Sequence, residues 1–424
     1  MLYDIAFLIF SLFYLPTLIF KGKMHADFAE RFGSYRSDKR KALEAAKGGI
    51  WIQAVSVGEV AACRGLVNGL KGLFPDKKIV LSTITKAGNA LARKLYSKDA
   101  VIIYFPLDLS WIVRKTVALI RPAIYIMVET EIWPNVIRCI RNSGARSAMV
   151  NGRISDKSFG KYKMAAVFLK KTLSRVDLFC MQSLVDAERI KAIGAPPEKV
   201  VVTGNMKLDA EPNTSEALLG DLRSAICIEP GTRLLVAGSI HPGEEPAILE
   251  TYSNLKKEFP DLRLVMAPRH VEKSRYFEDI VKDDFGFKTH LLSSQAPSSS
   301  KESVVIVDTI GRLTDFYALA TVVFIGGSLV GHGGQNPIEA AILGKPVIFG
   351  PHMFNFKDIS ADLLRSGGAI EVKNAEDMTA VIRSILLYDG KAREIGERAR
   401  RALIERRGAT VRNINAICEI LSTR

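Results

Sequence analysis

The stretch 321–351, TVVFIGGSLVGHGGQNPIEAAILGKPVIFGP, constrains the fold of this chain more than any other. The apolar run 322–325 predicts a short strand buried on both faces of a parallel sheet. Glycines crowd the next nine residues, where the backbone must turn sharply or approach a ligand closely. Asn336 and Pro337 predict the start of a helix, and residues 347–350 predict the next strand. A strand, glycine loop and helix start are typical of a nucleotide site, although the glycines alone fit an ordinary strand–helix–strand unit equally well.

Length and composition indicate two folded domains. A chain of 424 residues is longer than a single hydrophobic core usually accommodates. Its composition, 48% hydrophobic and 25% charged residues, is typical of a globular protein. Residues 210–231 are rich in polar and turn-forming residues, which predicts a linker. We therefore expect a first domain over residues 23–210 and a second over 211–424, after a separate segment 1–22.

The charge is concentrated in the first half. Residues 1–210 carry 33 Lys and Arg against 17 Asp and Glu, whereas residues 211–424 carry 26 against 28. No zinc-finger, RNA-recognition or basic-zipper pattern accompanies the basic half, so it predicts a membrane surface or phosphorylated lipid as partner, and no nucleic acid. The five cysteines are scattered without a C-x-x-C pair, which indicates thiols in a reducing compartment and no zinc site.

Residues 2–20 are almost wholly apolar and are followed by Lys21 and Lys23. This length just reaches the roughly 20 residues of a membrane-spanning helix, and lysines after the segment place the remaining chain on the cytoplasmic side. We expect an uncleaved anchor over residues 1–22. Asp4 and Pro16 keep open the alternative of a helix that lies in the membrane interface. The basic, aromatic-containing stretch 157–176 fits either a membrane-facing helix or an ordinary solvated one.

Carboxylates follow two predicted strands of the first half. Glu59 closes the stretch IWIQAVSVGE, and ligands of parallel sheets lie beyond the carboxyl ends of strands, so Glu59 is a candidate site residue. It fits equally well a carboxylate favoured by the positive end of a helix. Glu129 and Glu131 follow the strand predicted from Ala123; being two apart, they are expected on one face, an arrangement that suggests a metal pair.

The second half repeats a strand followed by polar residues. Ser239 and His241, then Pro268–His270, then Gly311–Leu313, each follow an apolar run. Because carboxyl ends of parallel strands share one edge, these groups are expected to converge on one crevice with the glycine loop. Arg269 suits a phosphate by its charge and fork geometry, and the main chain at Gly311–Leu313 suits a base edge. Lone histidines are usually structural, so His241, His332 and His352 are minor candidates.

These motifs, in this order, resemble the donor half of GT-B glycosyltransferases and, more narrowly, the 3-deoxy-D-manno-octulosonic acid (Kdo) transferases. The resemblance rests on S-x-G-E at 56–59, V-E-x-E-x-W-P at 128–134, G-N-x-K-x-D at 204–209, P-R-H at 268–270, G-x-L at 311–313 and N-x-x-E at 336–339. The family commonly has His where this chain has Gln53 and Gln335.

The resemblance implies an α/β GT-B fold, with two Rossmann-like domains facing across a cleft and an N-terminal membrane anchor helix, whose final helix often returns to the first domain. It implies an inverting Kdo transfer from CMP-Kdo to the lipid A precursor lipid IVA. Glu59 is the expected general base, Glu129 a stabilising or orienting group, and Lys207 a group near the reacting centre. The expected donor contacts are Ser239, Pro268, Arg269, His270, Gly311, Arg312, Leu313, Gly327, Ser328, Asn336 and Glu339.

In such enzymes helix amides and basic residues hold the donor phosphate, so no metal and no cofactor are expected. We therefore do not expect Glu129 and Glu131 to bind a metal ion. The expected location is the cytoplasmic face of the inner membrane. Two alternatives remain: a sugar-nucleotide 2-epimerase-like enzyme of the same fold, and a non-catalytic, membrane-anchored protein that binds anionic lipid. The number of Kdo residues transferred stays open.

Overall fold

The structure is a computed structural model that describes residues 3–5, 7–9, 27–210, 214–229, 231–294 and 304–422. The chain divides into two compact units, one of Met1–Ala210 with Arg407–Arg424 and one of Glu211–Arg406. The first division falls where a domain boundary was predicted. Residues 407–424 belong to the first unit, the position that the resemblance implies for a final helix.

The first unit is built on a seven-stranded sheet in which all neighbouring strands are parallel. The strands are β1 (Ile50–Gln53), β2 (Ile79–Thr83), β3 (Ala100–Tyr104), β4 (Ile124–Val128), β5 (Arg146–Gly152), β6 (Leu178–Met181) and β7 (Val200–Val202). Their order is β3-β2-β1-β4-β5-β6-β7, so the direction of strand addition reverses at β1. In open α/β sheets this reversal is where ligands bind.

Helices cover both faces of this sheet. The α-helices of the first unit are Ser37–Glu44, Val57–Ala62, Arg64–Leu73, Lys86–Tyr96, Ser110–Ile120, Pro134–Asn142, Asp156–Met164, Ala166–Leu173, Leu184–Ala192 and Ala409–Ser422. Short 3₁₀ turns lie at Phe28–Phe32, Pro197–Lys199 and Met206–Asp209. The predicted basic helix 157–176 is thus two helices, interrupted at Ala165, whose backbone departs from helical geometry.

Alternate residues of the buried strands point to opposite faces and form two apolar clusters. Trp51 of β1 packs on Tyr125 of β4, with ring centroids 4.9 Å apart, within the cluster on one face. The other cluster contains Leu66, Val67 and Leu70, which lie on one side of the helix Arg64–Leu73. Each fully buried side chain of this size contributes about 1.5–3 kcal/mol to folding.

The last helix, Ala409–Ser422, closes the second of these clusters. It packs on Arg64–Leu73, where Cβ atoms added at Gly65 and Gly69 would lie 3.0 Å from Thr410 and 2.4 Å from Ile414. Asp209 caps its start, since its carboxylate accepts from the main-chain N–H groups of Gly408, at 2.7 Å, and Thr410. The two points where the chain passes between the units, after residue 210 and before residue 407, are therefore tied to each other inside the first unit.

The second unit contains another parallel seven-stranded sheet, ordered β10-β11-β9-β8-β12-β13-β14. Its strands are β8 (Leu234–Ile240), β9 (Arg263–Pro268), β10 (Thr289–Leu291), β11 (Val304–Ile306), β12 (Val322–Ile325), β13 (Val347–Phe349) and β14 (Ala369–Glu371). The α-helices are Glu216–Ala225, Glu245–Glu258, Ser274–Asp279, Leu313–Leu319, Ile338–Ile342, Lys357–Arg365, Ala375–Leu387 and Asp389–Ile404. Short 3₁₀ turns at Val271–Lys273 and Phe354–Phe356 and a π-helical turn at Ile280–Asp284 complete it.

Strand order reverses in the second unit between β8 and β12, so the loops after these two strands meet at the ligand-binding position of such sheets. They are the loop that carries His241 and the glycine-rich loop Gly326–Gly334, called the glycine loop below. Two parallel α/β units agree with the predicted fold class.

The predicted anchor, residues 1–22, lies mostly outside the described residues. Residues 3–5 and 7–9 are helical, and the buried Asp4 accepts hydrogen bonds from Ser110 N, at 2.9 Å, and Asn135 Nδ2, at 2.8 Å. Over the part of the chain that the structure describes, every helix is too short or too polar to span a membrane.

Candidate functional site

Glu59 stands where the chain leaves β1 and enters the helix Val57–Ala62. One carboxylate oxygen accepts from Val55 N, at 2.7 Å, and the other from the Ser56 hydroxyl, at 2.8 Å. The side chain is buried, with 7% exposure. Burial, and to a smaller extent the negative charge of Glu129, raise the pKa of Glu59 to about 7. The two hydrogen bonds and the charge of Lys207 lower this pKa but do not offset the increase. The carboxyl group is therefore poised between its acid and base forms at neutral pH.

Glu129 follows β4, the neighbour of β1, and is held by Lys207. Its backbone adopts a left-handed conformation, φ 61°, that non-glycine residues rarely adopt and that is common at functional sites. The Lys207 ammonium donates to Glu129 Oε1 at 2.8 Å, and both side chains remain about one-quarter exposed. Lys207 sits on the 3₁₀ turn Met206–Asp209, which Asn151 fixes by accepting from Met206 N at 2.9 Å.

The spacing of Glu129 and Glu131 predicted that both side chains lie on one strand face. They do not, because β4 ends at Val128 and both residues lie in the turn beyond it. Its carboxylate accepts instead from Trp133 Nε1 at 2.8 Å. Burial, followed by the charge of Glu59, raises its pKa to about 7. Glu59, Glu129, Glu131 and Lys207 thus form an acidic cluster at the reversal of the first sheet, with one ammonium among three carboxyl groups.

Glu59 and Glu131 both have a raised pKa, and the charge of Glu59 contributes to that of Glu131, so the two carboxyl groups influence each other's titration. Over the described residues no group of three or more His, Cys, Asp or Glu is placed to hold a metal ion. Lys207 supplies the cluster's positive charge.

In the second unit, three histidines gather beside the glycine loop. His241 follows β8 and stacks on His332, with ring centroids 4.3 Å apart, and His270 meets it edge-on at 6.1 Å. Gln335 Nε2 lies 3.1 Å from His241 Nε2. Burial lowers the pKa of His241 to about 4, helped by His332, His270 and Arg269, so its ring is neutral at pH 7. Sequence reasoning treated His241 and His332 as minor candidates, because only the fold brings them together.

The predicted N-x-x-E and G-x-L motifs also meet. Glu339 accepts from Asn336 Nδ2 at 2.9 Å and from the Thr314 hydroxyl at 3.1 Å. Thr314 follows Leu313, the first residue of the helix Leu313–Leu319, and Arg312 pairs with Asp315 at 2.9 Å. Asn336 also accepts from Ile338 N at 3.1 Å, although the helix begins at Ile338 with Pro337 as its N-cap. The contact between Thr314 and Glu339 joins the helices that follow β11 and β12.

Arg269 and His270 are exposed at the end of β9, and the preceding Pro268 is buried. Gly311 is exposed in a left-handed conformation, φ 87°. Ser239 is left-handed as well, φ 55°, and marks an irregularity in the register of β8 with β9. Such an irregularity at a strand end redirects the side chain relative to the regular sheet.

Ser328, one of the predicted donor contacts, makes its side-chain hydrogen bonds inside the second unit. It is fully buried, its hydroxyl donates to Ile325 O at 2.5 Å, and the same oxygen accepts from Gly350 N at 2.8 Å. The buried Ser328 hydroxyl therefore stabilises the glycine loop by linking it to Ile325 and Gly350. Its main-chain N–H and that of Gly327 point to Glu244, a residue that the sequence analysis did not single out although it lies in the stretch H-P-G-E-E.

Comparison with known proteins adds a second line of evidence. The family model described as 3-Deoxy-D-manno-octulosonic-acid transferase (kdotransferase) matches residues 26–210. The chain is 32% identical over 391 residues to the 3-deoxy-D-manno-octulosonic acid transferase of Haemophilus influenzae, a match that covers 92% of this chain and 90% of that relative.

Two solved structures are similar in fold. The UDP-GlcNAc 2-epimerase of Neisseria meningitidis, bound to UDP-GlcNAc, matches with a TM-score of 0.63 at 11% identity, over 88% of this chain and 100% of that one. A glycosyltransferase of Rickettsia africae matches with a TM-score of 0.62 at 15% identity, over 89% of this chain and 99% of that one. At these identities the likeness shows the GT-B type of fold and nothing of the activity.

Proposed function

This chain belongs to the 3-deoxy-D-manno-octulosonic acid transferase family, and from that premise we propose that it transfers Kdo from CMP-Kdo to a hydroxyl group of lipid IVA, with inversion and with Glu59 as the general base. Membership makes it a glycosyltransferase that transfers Kdo in lipopolysaccharide synthesis. The donor nucleotide, the acceptor and the residue roles are our proposals.

The observation that carries the proposal is the environment of Glu59. A general base works best when its pKa lies near the operating pH, and the pKa of Glu59 is raised to about 7. As the acceptor oxygen forms its bond to the anomeric carbon of Kdo, its proton passes to a Glu59 carboxylate oxygen. The bond between that carbon and the CMP phosphate oxygen breaks, and CMP leaves with the electron pair.

Lys207 and Glu129 complete the acidic cluster in this mechanism. Lys207 offers positive charge to the departing phosphate, which stabilises charge that develops in the transition state. Glu129 holds the ammonium at 2.8 Å and so fixes its direction. Its negative charge also contributes to the raised pKa of Glu59, which makes the base more basic.

The donor is assigned to the second unit. Exposed Arg269 at the end of β9 suits the phosphate, and main chain at Gly311 suits a base edge. Asn336 and Glu339, held together at 2.9 Å, offer an amide and a carboxylate to sugar hydroxyls. Arginine and lysine supply the positive charge that a metal gives other transferases, so we propose a metal-independent reaction without a cofactor.

The acceptor assignment draws on the first unit's surface. Met164, Val167 and Phe168 are 82–84% exposed on the helices Asp156–Met164 and Ala166–Leu173. Four lysines on the same two helices are exposed: Lys161, Lys163, Lys170 and Lys171. Apolar side chains surrounded by lysines suit a membrane with anionic lipid. We therefore propose the cytoplasmic face of the inner membrane as the location, with residues 1–22 as the anchor.

The epimerase alternative is not favoured, because the likeness to epimerases is one of fold whereas the sequence similarity along 92% of the chain is to Kdo transferases. A non-catalytic lipid-binding protein would not need a buried carboxyl group with a pKa near 7.

The test is to incubate purified protein with CMP-Kdo and lipid IVA and weigh the products by mass spectrometry. We expect the acceptor mass to rise by whole Kdo units, and the number of units to be read directly. Glu59→Gln should remove most turnover while calorimetry shows unchanged CMP-Kdo affinity, and Glu188→Gln, an exposed glutamate of the same unit, serves as matched control. An unmodified acceptor with the parent protein would reject the proposal.

A further inference from the structure

Glu244 occupies a ring of backbone N–H groups at the reversal of the second sheet. One oxygen accepts from His241 N, at 2.9 Å, and Gly327 N, at 2.7 Å. The other accepts from Ser328 N and Leu329 N, both at 3.0 Å. The residue is fully buried between β8 and the helix Glu245–Glu258. Three consecutive amides of the glycine loop thus share one carboxylate with the turn after β8.

Successive backbone N–H groups that converge in this way form a binding place for an anion. Here the anion is part of the chain, so the amides of residues 327–329 are already satisfied and do not remain for a ligand phosphate. Buried N–H groups without a partner cost about 1–3 kcal/mol each, so the loop conformation depends on this carboxylate. Charge-assisted bonds of this kind are about twice as strong as neutral ones.

The loop that Glu244 fixes leads into Asn336, one of the groups proposed for the donor. His332 lies within the loop and Gln335 directly after it, and Gln335 Nε2 lies 3.1 Å from His241 Nε2. The main-chain N–H of His241 is a further donor to the same carboxylate. A shift of the loop relative to the turn after β8 would therefore separate these groups, while the strands of the sheet stayed in place.

We propose that Glu244 is a positioning residue for the donor site: its carboxylate locks the glycine loop to the turn after β8, so that His241, Gln335 and Asn336 meet the donor in a fixed arrangement. This inference rests on the proposed function, which places CMP-Kdo at Arg269, Gly311, Asn336 and Glu339, the last two shortly after this loop. It assigns Glu244 no contact with the donor and no part in proton transfer.

The test compares Glu244→Gln with the parent. Glutamine keeps the shape but directs an NH₂ group at two N–H donors, so two of the four bonds are lost. Glu250→Gln, on the exposed side of the same helix, is the matched control. Calorimetry should show CMP-Kdo affinity ten- to a hundredfold weaker in Glu244→Gln. Hydrogen–deuterium exchange of a peptide spanning residues 326–334 should become faster, and exchange of the β8 and β12 strands should not change.

A merely structural role would lower the melting temperature without this pattern, so unchanged donor affinity beside faster loop exchange overturns the proposal. Glu244→Asp separates shape from charge: it retains the anion, and we expect affinity between that of the parent and of Glu244→Gln. If both variants fail to fold, the carboxylate serves folding of the unit and the positioning role is rejected. If the parent itself does not bind CMP-Kdo, the proposed function fails, and this inference with it.

Discussion

Glu59→Gln is expected to stop catalysis and at the same time to stabilise the protein at alkaline pH. The folded pKa of about 7, against 4.5 for an ordinary glutamate, means that ionised Glu59 is disfavoured by about 3 kcal/mol in the fold. A raised carboxyl pKa gives stability that is complete below pH 4.5 and lost as the pH rises through 7. Above pH 7 the parent carries this unfavourable charge, and the glutamine variant does not.

The structure shows why glutamine fits. Its carbonyl oxygen can accept from Val55 N, and its amide can donate to the Ser56 hydroxyl, which replaces the bond that Ser56 now donates. At pH 8 the free energy of unfolding of Glu59→Gln is therefore expected to exceed that of the parent by up to about 3 kcal/mol. This is an upper value, because Glu131 titrates in the same range. Near pH 4.5 the melting temperatures of parent and variant should coincide.

Thermal melting at pH 4.5, 7 and 8, together with the Kdo transfer assay, tests both effects. Turnover should fall by about a hundred- to ten-thousandfold, the usual range for removal of a general base. In the parent, kcat/KM should rise with pH up to about 7 and then level, since the base must be ionised. A variant that is less stable than the parent at pH 8, or that keeps turnover within a few-fold, would refute the reasoning. Glu129 would then be the first alternative base.

Further expectations concern the donor site, the membrane surface and the last helix. Arg269→Ala should weaken CMP-Kdo binding by about 1.5–3 kcal/mol in calorimetry, as for loss of a charge-assisted hydrogen bond; unchanged affinity would remove it from the site. Asp209→Ala should lower the free energy of unfolding by about 1–2 kcal/mol in urea, because the helix Ala409–Ser422 loses its cap; an unaltered midpoint would contradict this. Replacing four exposed lysines by glutamine should reduce sedimentation with anionic vesicles, more at low salt than at high, and equal binding would show that another surface faces the membrane; the lysines are Lys161, Lys163, Lys170 and Lys171.

The strands and the position of Glu59 beyond a strand end could be predicted because short apolar runs and the polar residues after them are local signals, whereas Lys207 was singled out by the resemblance alone. The linker prediction for 210–231 was wrong in part: its polar composition concealed the helix Glu216–Ala225, which Ser215 caps by accepting from Leu218 N. Its buried Leu219 and Leu222 were too few to outweigh the turn-forming residues around them.

Contacts between distant residues were beyond sequence reasoning. The pair of Glu129 with Lys207 spans 78 residues and depends on a left-handed backbone at Glu129, which no local pattern requires of a glutamate. Glu244 was not singled out from the sequence, because three of its four partners lie more than 80 residues away in the glycine loop. The return of the last helix to the first unit was implied by the resemblance alone, because no local pattern of the sequence names the surface that a helix covers.

The return of residues 407–424 to the first unit affects the order in which a ribosome-bound chain can fold. Domains usually fold as units in the order of their synthesis. Here Ile414 and Ile417, which complete an apolar cluster of the first unit, are made after the whole second unit has been synthesised. The second unit can therefore finish folding first, before the helix Ala409–Ser422 packs on the helix that carries Leu66, Val67 and Leu70. A nascent chain halted before residue 407 should hold an incomplete first unit, the state in which chaperones and proteases would meet this protein.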